Sequence, residues 1–122
     1  MKILVVDDDA MMLKAIEHCL EEDHFEVIKA QNSLQALDAI ENTKPDLIIC
    51  DIMMPGFSGL ELLSLLKNFY FNTIPIIIIS ALQKDDVVLS SRELGAADFM
   101  AKPIDFNDLA ARVRKLLAVK AG

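Results

Sequence analysis

The sequence is poor in the residues that cross-link or interrupt a fold. Its 122 residues include two cysteines, four glycines, four prolines and no tryptophan. Cys19 and Cys50 have no neighbouring cysteine or histidine at a spacing that suits zinc, so we expect two reduced core thiols rather than a disulfide or a redox pair. Because no Gly/Ser-rich or Pro-rich linker divides the chain, we expect a single domain over residues 1–122.

Long apolar runs and an excess of positive charge are also missing. Hydrophobic residues make up 53% of the chain, yet no purely apolar run approaches the roughly 20 residues that a membrane-spanning helix needs. The N-terminus lacks the features of a signal peptide, which predicts a cytoplasmic protein with no membrane segment. The formal net charge of −7 opposes nucleic-acid binding, because phosphate contacts need clustered lysines and arginines. We therefore expect protein partners, or small phosphorylated molecules held with a metal.

The chain does contain five short apolar runs that alternate with helical patterns. These runs are typical of strands buried on both faces, and the segments between them carry apolar residues at helical spacing. The predicted strands are 3–6, 25–30, 47–50, 76–79 and 99–101. Strands that alternate with helices form right-handed βαβ crossovers, so we expect an α/β fold with a doubly wound, five-stranded parallel sheet.

The predicted helices differ in the quality of their apolar faces. The third, from Gly59 to about Tyr70, has a continuous apolar face, and we assign the aromatic residues at its end to packing. The fourth, over residues 84–94, has a poor face because Ser90 and Ser91 interrupt its apolar stripe. Pro45 is expected to close the second helix, and Gly95 to cap the fourth.

Polar residues directly follow four of the five predicted strands. Asp7 and Asp8 follow the first, Asp51 the third, Ser80 the fourth and Lys102 the fifth. Because ligands bind where the carboxyl ends of parallel strands meet, we expect these side chains to lie on one edge of the sheet. Each residue alone has an ordinary explanation, as a turn residue, a helix cap or a surface charge.

The conjunction of these acids predicts a bound cation. Carboxylates about 4 Å apart repel each other by roughly 4 kcal/mol at an effective dielectric constant near 20. Lys102 could supply one positive charge and a divalent metal the rest. Oxygen ligands without histidine or cysteine suit Mg²⁺ better than zinc.

The chain resembles the receiver domain of two-component response regulators over essentially its whole length. The resemblance rests on four motifs in order, each at the end of a predicted strand: Leu4-Val5-Val6-Asp7-Asp8, Asp51-Ile52-Met53-Met54-Pro55 with Gly59, Ser80-Ala81, and Lys102-Pro103. It implies a flavodoxin-like sheet with strand order 2-1-3-4-5 and five helices. A pair of acids alone would be weak evidence, whereas the four motifs together are specific.

The resemblance also implies the chemistry of this edge. Asp51 would be the phosphoacceptor for a phosphohistidine on a sensor histidine kinase. Mg²⁺ would be held by Asp7, Asp8, Asp51 and the backbone carbonyl of Met53. Lys102 would contact a phosphoryl oxygen during the transfer. The domain would catalyse only its own phosphoryl transfer and dephosphorylation, so we do not expect an enzyme with a separate substrate.

A two-state switch is implied as well. Ser80 would donate its hydroxyl to the phosphoryl group, and Phe99 would move into the space that the Ser80 loop vacates. The Lys102–Pro103 peptide would be cis. Helix 4, strand 5 and helix 5 correspond to the family's usual signalling face. The weak fourth helix is therefore either part of a switch or merely a marginal helix, and the sequence leaves both interpretations open.

Several functions remain open at this point. The resemblance is compatible with control of a downstream protein or an output domain, with a phosphorylation-dependent homodimer, and with relay of the phosphoryl group to a histidine phosphotransfer protein. A phosphatase with an aspartyl nucleophile would need a second acid at the position of Met53. A flavin-binding electron carrier would place its phosphate beside Asp7, Asp8 and Asp9, which would repel it. We therefore favour a receiver over both.

Overall fold

The protein is described by a computed structural model that covers residues 1–53, 58–69, 73–81 and 85–121. Several predicted features lie outside these residues. They are the turn at Pro55 and Gly56, the aromatic residues Tyr70 and Phe71, and the start of the fourth helix at Lys84.

The five strands form one parallel sheet in the order β2-β1-β3-β4-β5. They are β1 (Lys2–Val6), β2 (Glu26–Ala30), β3 (Leu47–Asp51), β4 (Ile76–Ser80) and β5 (Asp98–Ala101). The helices between them are α1 (Ala10–Glu22), α2 (Ser33–Thr43), α3 (Gly59–Phe69), α4 (Asp85–Glu93) and α5 (Phe106–Ala121). The predicted fold class and strand order are therefore confirmed.

Two separate hydrophobic cores cover the two faces of the sheet. Successive side chains of a strand point to opposite faces, so Leu47 and Ile49 enter a core with residues of α1 and α5. Ile48 and Cys50 enter the other core, with residues of α2 and α3. All five residues of β3 are buried, including Asp51 at its carboxyl end.

Each strand boundary that differs from the predictions does so by one residue, and Asp51 and Ser80 end β3 and β4 instead of following them. Strand β2 begins at Glu26 rather than Phe25, because the Phe25 N–H donates to Leu20 O in the turn that closes α1. His24 in that turn has a positive φ of 67°. Helix α2 ends at Thr43, just before Pro45 as predicted; Lys44 turns into the left-handed region with φ of 49°, and its N–H donates to Ile40 O.

Both cysteines are free thiols, but their environments differ. Cys50 is fully buried under α2 and α3. Cys19 is only half-buried, and its Sγ lies 3.4 Å from Phe106 O at the junction of α1 and α5. Within the described ranges, none of the helices is long and apolar enough to cross a membrane.

The environment of Cys50 predicts a protected thiol. Burial raises the pKa of Cys50 far above that of an ordinary thiol, and only the thiolate attacks a disulfide reagent. In a Cys19→Ser variant, the remaining thiol should react with Ellman's reagent roughly 1,000-fold more slowly in buffer than in urea, since reaction requires unfolding. Absorbance of the released thiolate measures both rates. Equal rates in the two solvents would show that β3 is open to solvent.

Candidate functional site

Asp51 is the last residue of β3 and lies at the carboxyl edge of the sheet. It is 5% exposed. Its Oδ1 accepts a hydrogen bond from Met53 N at 3.2 Å, and its Oδ2 lies 3.0 Å from Lys102 Nζ. Because β3 is buried up to its last residue, the Asp51 carboxylate is almost fully buried at this edge, and its two oxygens face different donors.

The three acids after β1 lie in three different environments. Asp7 is buried, its Oδ1 accepts from Asp9 N at 2.9 Å, and its Oδ2 lies 3.2 Å from Lys102 Nζ. Asp8 is exposed. Asp9 caps α1, because its Oδ1 accepts from the backbone N–H groups of the first turn. Of these three acids, Asp9 alone is a helix cap.

The carboxylates of Asp7, Asp8 and Asp51 form a cluster that could hold a metal ion. Each offers one oxygen, and these oxygens all lie within 4.8 Å of one another. Lys102 is the cation that contacts two of the acids. Three carboxylates and one ammonium leave a formal charge of −2, which a divalent cation would neutralise.

The pKa directions reflect this crowding. Burial, together with the nearby charge of Asp51, raises the pKa of Asp7 in spite of its hydrogen bonds to Asp9 and Lys102. Burial alone would lower the pKa of Lys102, but its hydrogen bonds and charge interactions with Asp51 and Asp7 outweigh that effect and raise it. Lys102 therefore stays charged at neutral pH while it bridges the two acids.

Ser80 and Phe99 lie on the two strands next to Asp51. Ser80 ends β4 and is buried, and its carbonyl accepts from Lys102 N at 2.9 Å. Phe99 lies on β5 and packs, half-buried, against the core on the α2 and α3 side. The Lys102–Pro103 peptide is cis. The structure therefore brings Asp7, Asp8, Asp51 and Lys102 together and places Ser80 beside them through the backbone.

A comparison with known protein families covers the part of the chain that holds these site residues. The family described as "Response regulator receiver domain" matches residues 3–114, nearly the whole chain. The chain belongs to this receiver domain family.

Individual relatives agree with this assignment. Sporulation initiation phosphotransferase F of Bacillus subtilis is 35% identical over 120 residues, which cover 98% of this chain and 96% of that protein. The phosphate regulon transcriptional regulatory protein PhoB of Pseudomonas aeruginosa is 40% identical over 116 residues, 94% of this chain but only 51% of that protein. The receiver thus spans about half the length of such transcriptional regulators.

The fold of the receiver is also found among solved structures. The receiver domain of the Francisella response regulator 1452 superposes with a TM-score of 0.93 at 32% identity, covering 98% of each chain. The chain is accordingly a receiver domain of two-component response regulators, and a histidine kinase partner is expected.

Gly59 shows why α3 begins where it does in this receiver. Its N–H donates to Ile52 O at 2.8 Å. A Cβ at this position would lie 2.4 Å from the carbonyl oxygen of Asp51, well inside contact distance. Only glycine lets the first turn of α3 approach the backbone of the acidic site this closely.

We expect Gly59→Ala to destabilise the protein by about 1–3 kcal/mol, because the new methyl group meets backbone atoms that cannot rotate away. Chemical denaturation of both proteins measures the change. Gly95→Ala is the comparison, since a Cβ there would meet only the Lys67 side chain, at 3.4 Å, and its cost comes from the φ of 98°. Both variants should lose stability, but only Gly59→Ala should also shift the Asp51 amide resonance.

Sequence reasoning missed a second charged cluster in the receiver. No ion pair was predicted for Arg112 from the sequence. The structure places it against Asp98 and Asp108. The spacing of Asp108 and Arg112, four residues apart in a helix, was a visible signal for one of these pairs. The pair with Asp98 depends on how α5 packs, which the sequence pattern does not reveal.

Proposed function

We propose that residues 1–122 form one receiver unit that accepts a phosphoryl group on Asp51. The observation that carries this proposal is the shared ammonium of Lys102, which lies 3.0 Å from Asp51 and 3.2 Å from Asp7. A carboxylate that is nearly buried, paired with a cation and adjacent to two further acids is suited to attack on phosphorus rather than to a structural role.

In the proposed reaction, an oxygen of Asp51 forms a bond to phosphorus while the bond from phosphorus to the donor nitrogen breaks. The electron pair of the broken bond stays on the imidazole of the donor phosphohistidine. The ammonium of Lys102 is placed to contact a phosphoryl oxygen and to offset the negative charge there. Hydrolysis later breaks the bond between phosphorus and Asp51 and releases inorganic phosphate.

The acidic cluster fits Mg²⁺, because it offers only oxygen ligands and an uncompensated charge of −2. Asp7, Asp8, Asp51 and the carbonyl of Met53 would hold the ion. When bound, Mg²⁺ would neutralise negative charge on the transferring phosphoryl group. Met53 follows Asp51 by two residues and its N–H donates to Asp51 Oδ1 at 3.2 Å, which supports a role for its carbonyl at this site.

Phosphorylation is proposed to switch the domain through Ser80 and Phe99. The hydroxyl of Ser80 would donate to the new phosphoryl oxygen, and Phe99 would take up the space left by the Ser80 loop. The backbone bond from Lys102 N to Ser80 O supports this, because it couples the ends of β4 and β5. Helix α4, β5 and α5 would then present the altered surface to a downstream protein.

The donor is proposed to be a phosphohistidine of a sensor histidine kinase. A relay role, in which the phosphoryl group passes to a histidine phosphotransfer protein, is the second candidate. The match to Sporulation initiation phosphotransferase F over nearly all of both chains favours it. We further propose a cytoplasmic location, which two free thiols support, and a homodimer that forms on phosphorylation, which light scattering would test.

Incubation with acetyl phosphate and Mg²⁺ tests the proposal. The intact mass should increase by one phosphoryl group, and a chelator should prevent the increase. Borohydride reduction of the acyl phosphate followed by peptide mass spectrometry should mark Asp51. An unchanged mass, or a mark on another residue, would overturn the proposed function.

A further inference from the structure

Strand β5 is an edge strand whose outer side needs partners. It is last in the sheet order, with β4 on one side only. Exposed edges leave backbone groups unpaired unless side chains or other elements bind them. At Phe99 both outer groups are bound by side chains: its N–H donates to Asp98 Oδ1 at 2.8 Å, and its carbonyl accepts from Arg112 Nη1 at 3.1 Å.

Arg112 joins this edge to α5 through several bonds. Its Nη1 also donates to Asp98 Oδ1 at 2.8 Å. Its Nε and Nη2 bind the two oxygens of Asp108 at 3.2 and 3.0 Å, one turn earlier on the same helix. The two-pronged pair with Asp108 fixes the plane of the guanidinium, so that Nη1 is directed at β5.

The residue held by Arg112 is one that the proposed switch moves. Phe99 is three positions before Lys102, whose ammonium contacts Asp51 and whose N–H is bonded to Ser80 O. The ring of Phe99 packs on the α2 and α3 side of the sheet, while α5 lies on the other side. Among the contacts described here, the bond from Arg112 to the Phe99 carbonyl is a direct polar link between this residue and α5.

We propose that Arg112 couples Phe99 to α5, so that a change in Phe99 is transmitted to the helix on the opposite face of the sheet. The role rests on the proposed function where the change is caused by phosphorylation, but the link itself exists in the unmodified protein. Arg112 is in this sense a positioning residue. It does not touch the reacting atoms, and it acts through the carbonyl that it binds.

The alternative is that Arg112 only stabilises α5. Arg114 provides the matched control, because it lies on the same helix and pairs with Asp23 at the end of α1. If each arginine only stabilises α5 through an ion pair, replacing Arg112 and replacing Arg114 should have the same effect on the helix. A coupling role should belong to Arg112 alone, and it should depend on the forked shape of the guanidinium rather than on its charge.

Amide NMR spectra of the full chain test the coupling in two arms. In the first, Phe99→Ala is introduced without any phosphodonor, and the resulting shifts of the amides at 113–118 are compared with and without Arg112→Met. In the second, acetyl phosphate and Mg²⁺ are added to the wild type and to the Arg112→Met, Arg112→Lys and Arg114→Met variants. The amide of Phe99 is recorded as the internal reference for each.

We expect the α5 response to fall by roughly threefold or more in Arg112→Met and Arg112→Lys, and to persist in Arg114→Met, while the Phe99 amide responds throughout. A full α5 response in Arg112→Met, or an equal loss in Arg114→Met, would overturn the inference. If the wild type does not respond to acetyl phosphate at all, the proposed function fails instead, and the Phe99→Ala arm still decides whether the link exists.

Discussion

Asp51→Asn is expected to take up no phosphoryl group from acetyl phosphate under conditions in which the wild type is labelled. The amide is a far weaker nucleophile than the carboxylate, and it removes one of the three negative charges that would hold Mg²⁺. The substitution keeps the volume of the side chain, and its oxygen can still accept from Met53 N. The loss should therefore come from chemistry rather than from unfolding.

Intact mass spectrometry after a fixed incubation measures this uptake. Asp38→Asn is the matched control: it removes the same charge from an exposed site on α2, where Asp38 accepts a hydrogen bond from Asn42. It should be labelled like the wild type. Thermal unfolding of both variants shows whether each is folded at the assay temperature. Labelling that survives in Asp51→Asn would move the phosphoacceptor to another residue.

Lys102→Met is expected to change metal binding and phosphoryl uptake in opposite directions. Without the ammonium, Asp7 and Asp51 lose their ion pairs with Lys102 and the cluster becomes more negative, so Mg²⁺ should bind roughly tenfold more tightly. Uptake from acetyl phosphate should nevertheless slow by roughly 100-fold, because a positive group aimed at the transferring phosphoryl oxygens is lost. Methionine preserves the length and apolar stem of the side chain.

Two measurements separate these effects. Calorimetric titration with Mg²⁺ gives the affinity, and the rate of mass increase at saturating Mg²⁺ gives the transfer step. Lys115→Met, which removes an exposed charge on α5, should change neither. Weaker Mg²⁺ binding in Lys102→Met, or transfer at the wild-type rate, would show that Lys102 is only a structural partner of the two acids.

The order of elements and the positions of the acidic residues could be predicted because both follow from local pattern. Apolar runs of four or five residues set β1, β3 and β4, and the first polar residue after each run must lie at one edge of a parallel sheet. Asp7, Asp51 and Ser80 are placed in this way, from chain order alone. The strand order itself required the resemblance to a known family.

What the sequence did not reveal depends on side chains that meet only after packing. The contact of Arg112 with the Phe99 carbonyl depends on how α5 lies against the sheet edge, and no spacing in the chain encodes it. Phe25 has the apolar character of a strand residue, yet it closes the turn after α1, since His24 adopts a positive φ. The need for glycine at position 59 likewise appears only when α3 is seen against Asp51.

The division of the interior by the sheet has a practical consequence for β3. Ile48 and Ile49 are adjacent along the chain, but one supports α2 and α3 and the other supports α1 and α5. Truncating one or the other would leave a void in a different layer while removing a similar number of methyl groups. An experimenter can therefore loosen the helices on either face of the sheet below Asp51 independently, by moving a single position along the same strand.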